Sequence, residues 1–229
     1  MAIQLTNHLR NTSTLNLKTT SSHPNPCLSN TRRTRTIRVY AVSSSTSSNN
    51  ARQLIQSGAV RPVRSSEAGA LIGEEGFVLL DIRPVWEREK AHVTGSLHVP
   101  LFVEDKDNGP LTLLKKWVHF GYIGLWTGQY FTTLNPDFFE TVEETVPDKS
   151  TKLLVACGEG LRSMMAVSKL YEGGYKNLGW LAGGFNRAKD GDFRAVEGSE
   201  KLEYATIGGV SYIFLQLLIF LRALGNNTS

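Results

Sequence analysis

Two continuous apolar runs organise the chain. Phe77–Val78–Leu79–Leu80 closes on Asp81, and Lys152–Leu153–Leu154–Val155–Ala156 leads directly into Cys157. Apolar runs without polar alternation suit short strands buried on both faces. Val60 to Val63 and Gly179–Trp180–Leu181 predict two further short strands. Helical signals fall between them. Ala51 to Ser57 ends at Gly58, and Glu67 to Ile72 is a helical turn stopped by Gly73. Asn135–Pro136 supplies an N-cap and a first-turn proline for a helix reaching Thr145, and Ser163 to Tyr171 is halted by Gly173–Gly174. Alternating strands and helices predict an α/β fold, a parallel sheet with helices on both faces. Beyond it, Ile207 to Leu221 is apolar except for Ser211 and Gln216, and Arg222 ends the run. Residues 204–224 approach the ~20 needed to cross a bilayer, so the pattern predicts a C-terminal apolar helix, transmembrane or membrane-associated. An amphipathic or buried helix packed on the domain is the alternative.

Composition changes the picture at the N-terminus. The chain has 25 Lys and Arg against 21 Asp and Glu, a net charge of +4. Nine of the cations precede Glu67, the first acidic residue, and the remainder of the chain carries about −5. The basic balance therefore points to an import signal, not to nucleic acid. Ser/Thr-rich, acid-free and broken by Pro24–Asn25–Pro26, residues 1–41 fit a disordered chloroplast transit peptide, with Ala41 before the processing site. An uncleaved disordered tail is the plainer alternative. Residues 42–58 read as a Ser/Asn-rich linker and a short helix. With two cysteines, Cys27 and Cys157, and Cys27 in the transit peptide, neither an internal disulfide nor a thiolate metal cluster is expected in the mature chain.

Three segments carry a resemblance. The first is Asp81-Ile-Arg83-Pro-Val-Trp-Glu87, continuing through His92 and Gly95 to Pro100. The second is Val155-Ala-Cys157-Gly-Glu-Gly160-Leu-Arg162-Ser163, and the third is Trp180-Leu-Ala-Gly183-Gly184-Phe185. In order and spacing they resemble the rhodanese-like sulfurtransferase family, with Ala91 and Arg88 as departures from its pattern. The resemblance implies a single rhodanese-like domain over residues 59–197. It also implies that Cys157 is the nucleophile that carries sulfur as a persulfide, received from a sulfane-sulfur donor and passed to a thiol acceptor. Residues 101–131 exceed a minimal domain of this kind. They hold Trp117, Phe120, Tyr122, Trp126, Tyr130 and Phe131, which would form a lid or a protein partner surface, or equally extra core.

The residues around Cys157 suit that chemistry. A thiolate is the nucleophile, and an anionic terminal sulfur must be held without a metal. Gly158 and Gly160 allow a tight curl of inward N–H groups, and the helix starting near Ser163 adds its positive end. The cradle expected is Gly158, Glu159, Gly160, Leu161, Arg162 and Ser163, with Arg162 adding charge. Asp81 and Arg83 are expected to pair and fix the loop after their strand. His92 and His98 are expected to be turn and packing residues; neither metal nor cofactor is implied. Glu159 sets a negative charge where thiosulfate, a dianion, would bind, so weak thiosulfate activity is expected. A phosphatase would need Cys-x5-Arg; here the spacing is Cys-x4-Arg. The remaining alternative is a docking or regulatory module, tethered to a thylakoid or envelope membrane, whose cysteine seldom turns over.

Overall fold

A computed structural model describes residues 44–226, with side chains described for 50–224. The predicted transit peptide, and Cys27 with it, lies outside the described residues. Helix α1 spans Ser44–Gln56, so the segment expected as linker is already helical from Ser44. Then come β1 (Val60–Val63), α2 (Ser65–Gly73), β2 (Val78–Asp81), α3 (Val85–Lys90), β3 (Ala91–Val93) and β4 (Leu97–His98). An excursion comes next: β5 (Phe102–Glu104), α4 (Pro110–His119), a π-turn at Phe120–Gly124, α5 (Leu125–Thr127) and β6 (Thr132–Leu134). The chain returns through α6 (Phe138–Thr145), β7 (Leu153–Ala156), α7 (Leu161–Glu172) and β8 (Leu178–Leu181). It ends with β9 (Val196–Gly198) and α8 (Gly209–Asn226).

The central sheet is five-stranded and parallel, in the order β1-β8-β7-β2-β4. Because side chains alternate across a strand, its apolar runs feed two separate cores. Leu80, Leu153 and Val155 pack with Ala51, Phe138, Val142, Val167 and Leu170, beneath α1, α6 and α7. Leu79, Leu154 and Ala156 pack with Leu71, Phe185 and Phe193 on the opposite face. This is why β2 and β7 carry no polar alternation: neither face meets water.

Helix α6 starts two residues later than Asn135–Pro136 suggests. The Asn135 side chain fixes the turn that precedes it: its Nδ2 donates to the Pro100 carbonyl at 2.9 Å, and its Oδ1 accepts from Asp137 N, two residues on, at 3.1 Å, a cap-type bond. Asp137 becomes the residue flanking the helix.

Two expectations about the less regular regions are settled by packing. Helix α4 has no buried residue, and Leu111, Trp117, Phe120 and Tyr122 stand exposed, so this part of the insertion is not extra core. The insertion is held instead by Tyr130 against Trp86 (ring centroids 4.7 Å apart) and by β5–β6 pairing. The C-terminal span is corrected. Residues 202–204 form a 3-10 turn, the chain then runs irregularly to Gly208, and α8 begins only at Gly209. Its 18 residues reach ~27 Å, short of the ~30 Å hydrocarbon core. Among the described residues no helix is long and apolar enough to cross a membrane, so the transmembrane helix expected at 204–224 is not found.

Candidate active site

Cys157 comes directly after β7, at the carboxyl edge of the parallel sheet where α/β folds place their ligands. The loop turns at Gly160 (φ 92°), and α7 begins at Leu161, two residues before Ser163. Its back is fixed by the third motif. Phe185 N donates to the Cys157 carbonyl and Asn186 N to the Gly158 carbonyl, both at 2.9 Å. That contact explains Gly184. A Cβ there would strike both of those carbonyls, and its φ of 64° with ψ of −164° lies in a region essentially reserved for glycine.

Within the loop two backbone N–H groups aim at the sulfur. Gly160 N lies 3.1 Å and Ser163 N 3.3 Å from Cys157 Sγ, and Ser163 Oγ is also at 3.3 Å. Ser163 donates to the Gly160 carbonyl at 3.0 Å. Trp180 reaches across from β8: its Nε1–H lies 2.8 Å from the Gly160 carbonyl and 3.1 Å from Ser163 Oγ. Of the cradle expected from Gly158 to Ser163, the Gly160 and Ser163 N–H groups, at the start of α7, are brought onto the sulfur. These point at a site where negative charge would sit, as in an anion nest. Cys157 itself is buried, at the wall of a cavity of about 740 Å³.

The charged residues divide into those facing the cavity and those beneath it. Glu159 and Leu161 are exposed and line the cavity. Arg162 also lines it, but its guanidinium makes a bidentate pair with Glu87: Nη1–Oε1 is 2.9 Å and Nη2–Oε2 2.7 Å. Glu87 is almost wholly buried, while a quarter of the Arg162 side chain is exposed. Burial alone would lower the Arg162 pKa, but the hydrogen bonds and charge of Glu87, with a smaller contribution from Cys157, raise it above its ordinary value. Arg162 is therefore a permanent cation whose charge is already largely matched. Expected to add charge to the anion cradle, Arg162 lines the cavity with its guanidinium tied to Glu87 of α3.

Asp81 and Arg83 meet beneath the loop, both fully buried, with Arg83 Nη2 2.7 Å from Asp81 Oδ2. Arg83 Nη2 also donates to the Ala91 carbonyl at 2.8 Å, and Arg88 adds a contact to Asp81 at 3.3 Å. Burial alone would raise the Asp81 pKa, but the charge and hydrogen bonds of Arg83, then the charge of Arg88, hold it below its ordinary value. The Arg83 guanidinium lies 4.3 Å over the Phe185 ring, and Phe185 is the residue bonded to the Cys157 carbonyl. The pair thus reaches the loop through one aromatic side chain. His98 sits beside it, with Nε2 2.8 Å from the Arg83 carbonyl. His92 lies on β3, paired with β9 and apart from this cluster. Among the described residues no group of three or more His, Cys, Asp or Glu side chains is placed to hold a metal.

Three residues near the loop carried no site role in the sequence pattern. Glu87 appears in the first motif, but only folding shows that it meets Arg162, 75 positions away. Trp180 appears in the third motif, where its indole N–H had no stated purpose. Thr206, from beyond the third motif, packs against Gly158, where an added Cβ would collide with the threonine methyl. A donor on the neighbouring strand β8 was the available signal for Trp180; no local pattern marks the other two.

Fold and loop together define an α/β domain that holds one cysteine at the carboxyl edge of a parallel sheet, cradled by the start of a helix. The chain belongs to the rhodanese-like family: the model for the rhodanese-like domain matches residues 65–190. It is 63% identical over 177 residues to rhodanese-like domain-containing protein 10 of Arabidopsis thaliana, covering 77% of this chain and 83% of the relative. To rhodanese-like domain-containing protein 9, chloroplastic, of the same organism, it is 40% identical over 148 residues, 65% of this chain and 62% of the relative. Among solved structures, the rhodanese-like domain of the Anabaena Alr3790 protein superposes with a TM-score of 0.41 at 17% identity, over 60% of this chain and 78% of that one.

Proposed function

We propose that this protein is a sulfur carrier or sulfurtransferase that forms a persulfide on Cys157. The observation that carries the reading is the convergence of the Gly160 and Ser163 N–H groups on Cys157 Sγ at 3.1 and 3.3 Å. In the first step the Cys157 thiolate attacks the outer sulfur of a sulfane donor R–S–SH. The Sγ–S bond forms as the donor's S–S bond breaks, and the leaving thiolate RS⁻ takes the electron pair. In the second step an acceptor thiolate attacks the outer sulfur, and the electron pair of the Sγ–S bond returns to Cys157. No external oxidant or reductant enters. The two N–H groups suit the thiolate, and the positive end of α7 suits the terminal sulfur that becomes bonded to Sγ. With its guanidinium tied to Glu87, Arg162 acts chiefly by holding α7 and the loop in place.

The Cys-x4-Arg spacing and the paired Arg162 both speak against phosphate chemistry, which needs a wider nest and an arginine free to clasp oxygens. Residence in the plastid is part of the proposal, supported by the N-terminal composition and by relatives named as chloroplastic. The exposed aromatic face of the insertion, with Trp117, Phe120 and Tyr122, supports a protein partner there. It also favours a second reading, a docking module with little turnover. A turnover assay separates the two. With polysulfide as donor and a small thiol as acceptor, sulfur transfer over many cycles that vanishes in Cys157→Ser supports the enzyme. Stoichiometric loading without turnover supports the docking module.

A further inference from the structure

The wall of the Cys157 cavity is largely built by parts of the chain outside the sheet. Thr127, Gln129 and Thr132 come from the excursion that runs from β5 to β6, with Thr132 opening β6, and Thr206, Ile207 and Ser211 come from the tail beyond residue 190. The two parts are locked into one piece. Gln129 Nε2 donates to the Thr206 carbonyl at 3.2 Å, and Lys90 Nζ to the Ile207 carbonyl at 2.7 Å. Gly128 lies so close to the tail that an added Cβ would sit 2.7 Å from Gly209 N and 2.8 Å from Gly208 Cα. Thr206 is pressed on Gly158 of the loop itself and donates to Asn186 Oδ1 at 2.8 Å. The tail therefore lies over the cysteine loop as a strap, clasped to the insertion.

The wall is mixed, with apolar groups from Pro84, Phe102, Leu161 and Ile207 beside neutral polar ones. It offers hydroxyl and amide groups from Thr127, Gln129, Thr132, Thr206 and Ser211, and none of these carries charge. The ionised side chains at the cavity are Glu159 and Arg162, and Arg162 is matched by Glu87. A small dianion finds an unmatched carboxylate there and no unmatched cation. Yet about 740 Å³ is far more than one sulfur atom needs and falls in the ~300–1,000 Å³ range of small-molecule sites. A large cavity with apolar walls, neutral donors and acceptors and an unmatched carboxylate suits an uncharged, amide-bearing body better than a small dianion.

We propose that the strap and insertion select sulfur carried on an organic thiol with an uncharged, amide-bearing body, such as a cysteinyl residue of a peptide, over inorganic sulfur oxyanions. The inference rests on the persulfide reading of Cys157. Gln129 and Ser211 are specificity residues, acting on the body of the substrate while Cys157 acts on its sulfur.

The test uses the full chain carrying Cys27→Ser. The rate of the single-sulfur gain at Cys157 is followed by quenched-flow mass spectrometry with three donors: N-acetylcysteine amide persulfide, thiosulfate and inorganic polysulfide. The organic persulfide is expected to react at least about a hundredfold faster than thiosulfate. Ser211→Lys, at an exposed rim position, is expected to shrink that ratio about tenfold by adding a cation. Gln129→Ala is expected to lower the ratio of the organic-donor rate to the polysulfide rate about two- to tenfold, because polysulfide has no body to bind. A thiosulfate rate equal to or above the organic one overturns the inference, and so do wild-type ratios in both variants. If polysulfide also fails to label Cys157, the persulfide reading itself falls, and the specificity inference with it.

Discussion

Glu87→Gln separates two roles that Arg162 could have. In the structure the Glu87 carboxylate is nearly fully buried and takes both ends of the Arg162 guanidinium. Removing one member of a fully buried pair costs about 3–5 kcal/mol, because the other charge is left uncompensated. Two features reduce that figure. A quarter of the Arg162 side chain reaches solvent, and glutamine keeps one carbonyl oxygen as an acceptor. A loss of about 1–3 kcal/mol is expected. With a urea m-value of about 1–3 kcal/mol/M for a small domain, the midpoint falls by roughly 1 M. The same substitution removes one negative charge beside the cavity and leaves Arg162 unmatched. Taking an effective dielectric of about 40 and a separation of about 6 Å, one charge is worth roughly 1.4 kcal/mol, or about tenfold in rate. The folded fraction of Glu87→Gln is therefore expected to react with thiosulfate several-fold to tenfold faster than the parent, while its stability drops. Urea unfolding followed by tryptophan fluorescence gives the first quantity, and persulfide formation by mass spectrometry gives the second. An unchanged midpoint, or a thiosulfate rate that falls along with stability, would refute the view that Glu87 neutralises Arg162.

The same geometry yields further expected outcomes. Asp81→Asn leaves the buried Arg83 without its anion and is expected to cost about 3–5 kcal/mol at pH 7, measured by urea unfolding. Because the Asp81 pKa is lowered in the fold, its contribution is complete above the unfolded value of about 3.9 and is lost as pH falls through the folded value. The gap between parent and variant should therefore close below about pH 4. A gap constant from pH 6 to 2 would contradict the assignment. Gly184→Ala forces a Cβ onto the Cys157 and Gly158 carbonyls; at least about 2 kcal/mol of destabilisation and a collapse of Cys157 labelling are expected. Trp180→Phe keeps the ring but removes the N–H that meets the Gly160 carbonyl. It should cost about 1 kcal/mol and slow Cys157 labelling, whereas an unchanged rate would make the indole N–H irrelevant to the loop.

Much of this architecture was legible in the chain. Strands β2 and β7 showed themselves as unbroken apolar runs because both faces of the sheet are covered, and that same fact put Cys157 at a strand end. The glycine pair Gly183–Gly184 and the cysteine loop were visible as motifs, and the structure gives the second glycine its steric reason. What was hidden depends on contacts between distant positions. No local pattern says that Glu87 will meet Arg162, or that Thr206 will lie on Gly158. The apolar run near the C-terminus misled for a related reason. Hydropathy sees Ile207 to Leu221 as one continuous segment. In the fold Ile207 belongs to the strap, where Lys90 and Gln129 bind its backbone and that of Thr206, so the helix starts late and comes up short. In the insertion the aromatic residues left a lid or partner surface and extra core equally open, and the fold leaves Trp117, Phe120, Tyr122 and Trp126 in solvent.

The central claim is that Cys157 carries sulfur, and intact-mass spectrometry of the full chain beside Cys157→Ser tests it most directly. After brief exposure to polysulfide and removal of excess reagent, the wild-type chain should gain about one sulfur, ~32 Da, located at Cys157 by peptide mapping and reversed by a thiol reductant. The Cys157→Ser chain should show no reductant-labile gain in the segment containing residue 157. A wild-type chain whose Cys157 peptide stays unmodified, or an equal gain in that segment of the serine variant, would contradict it.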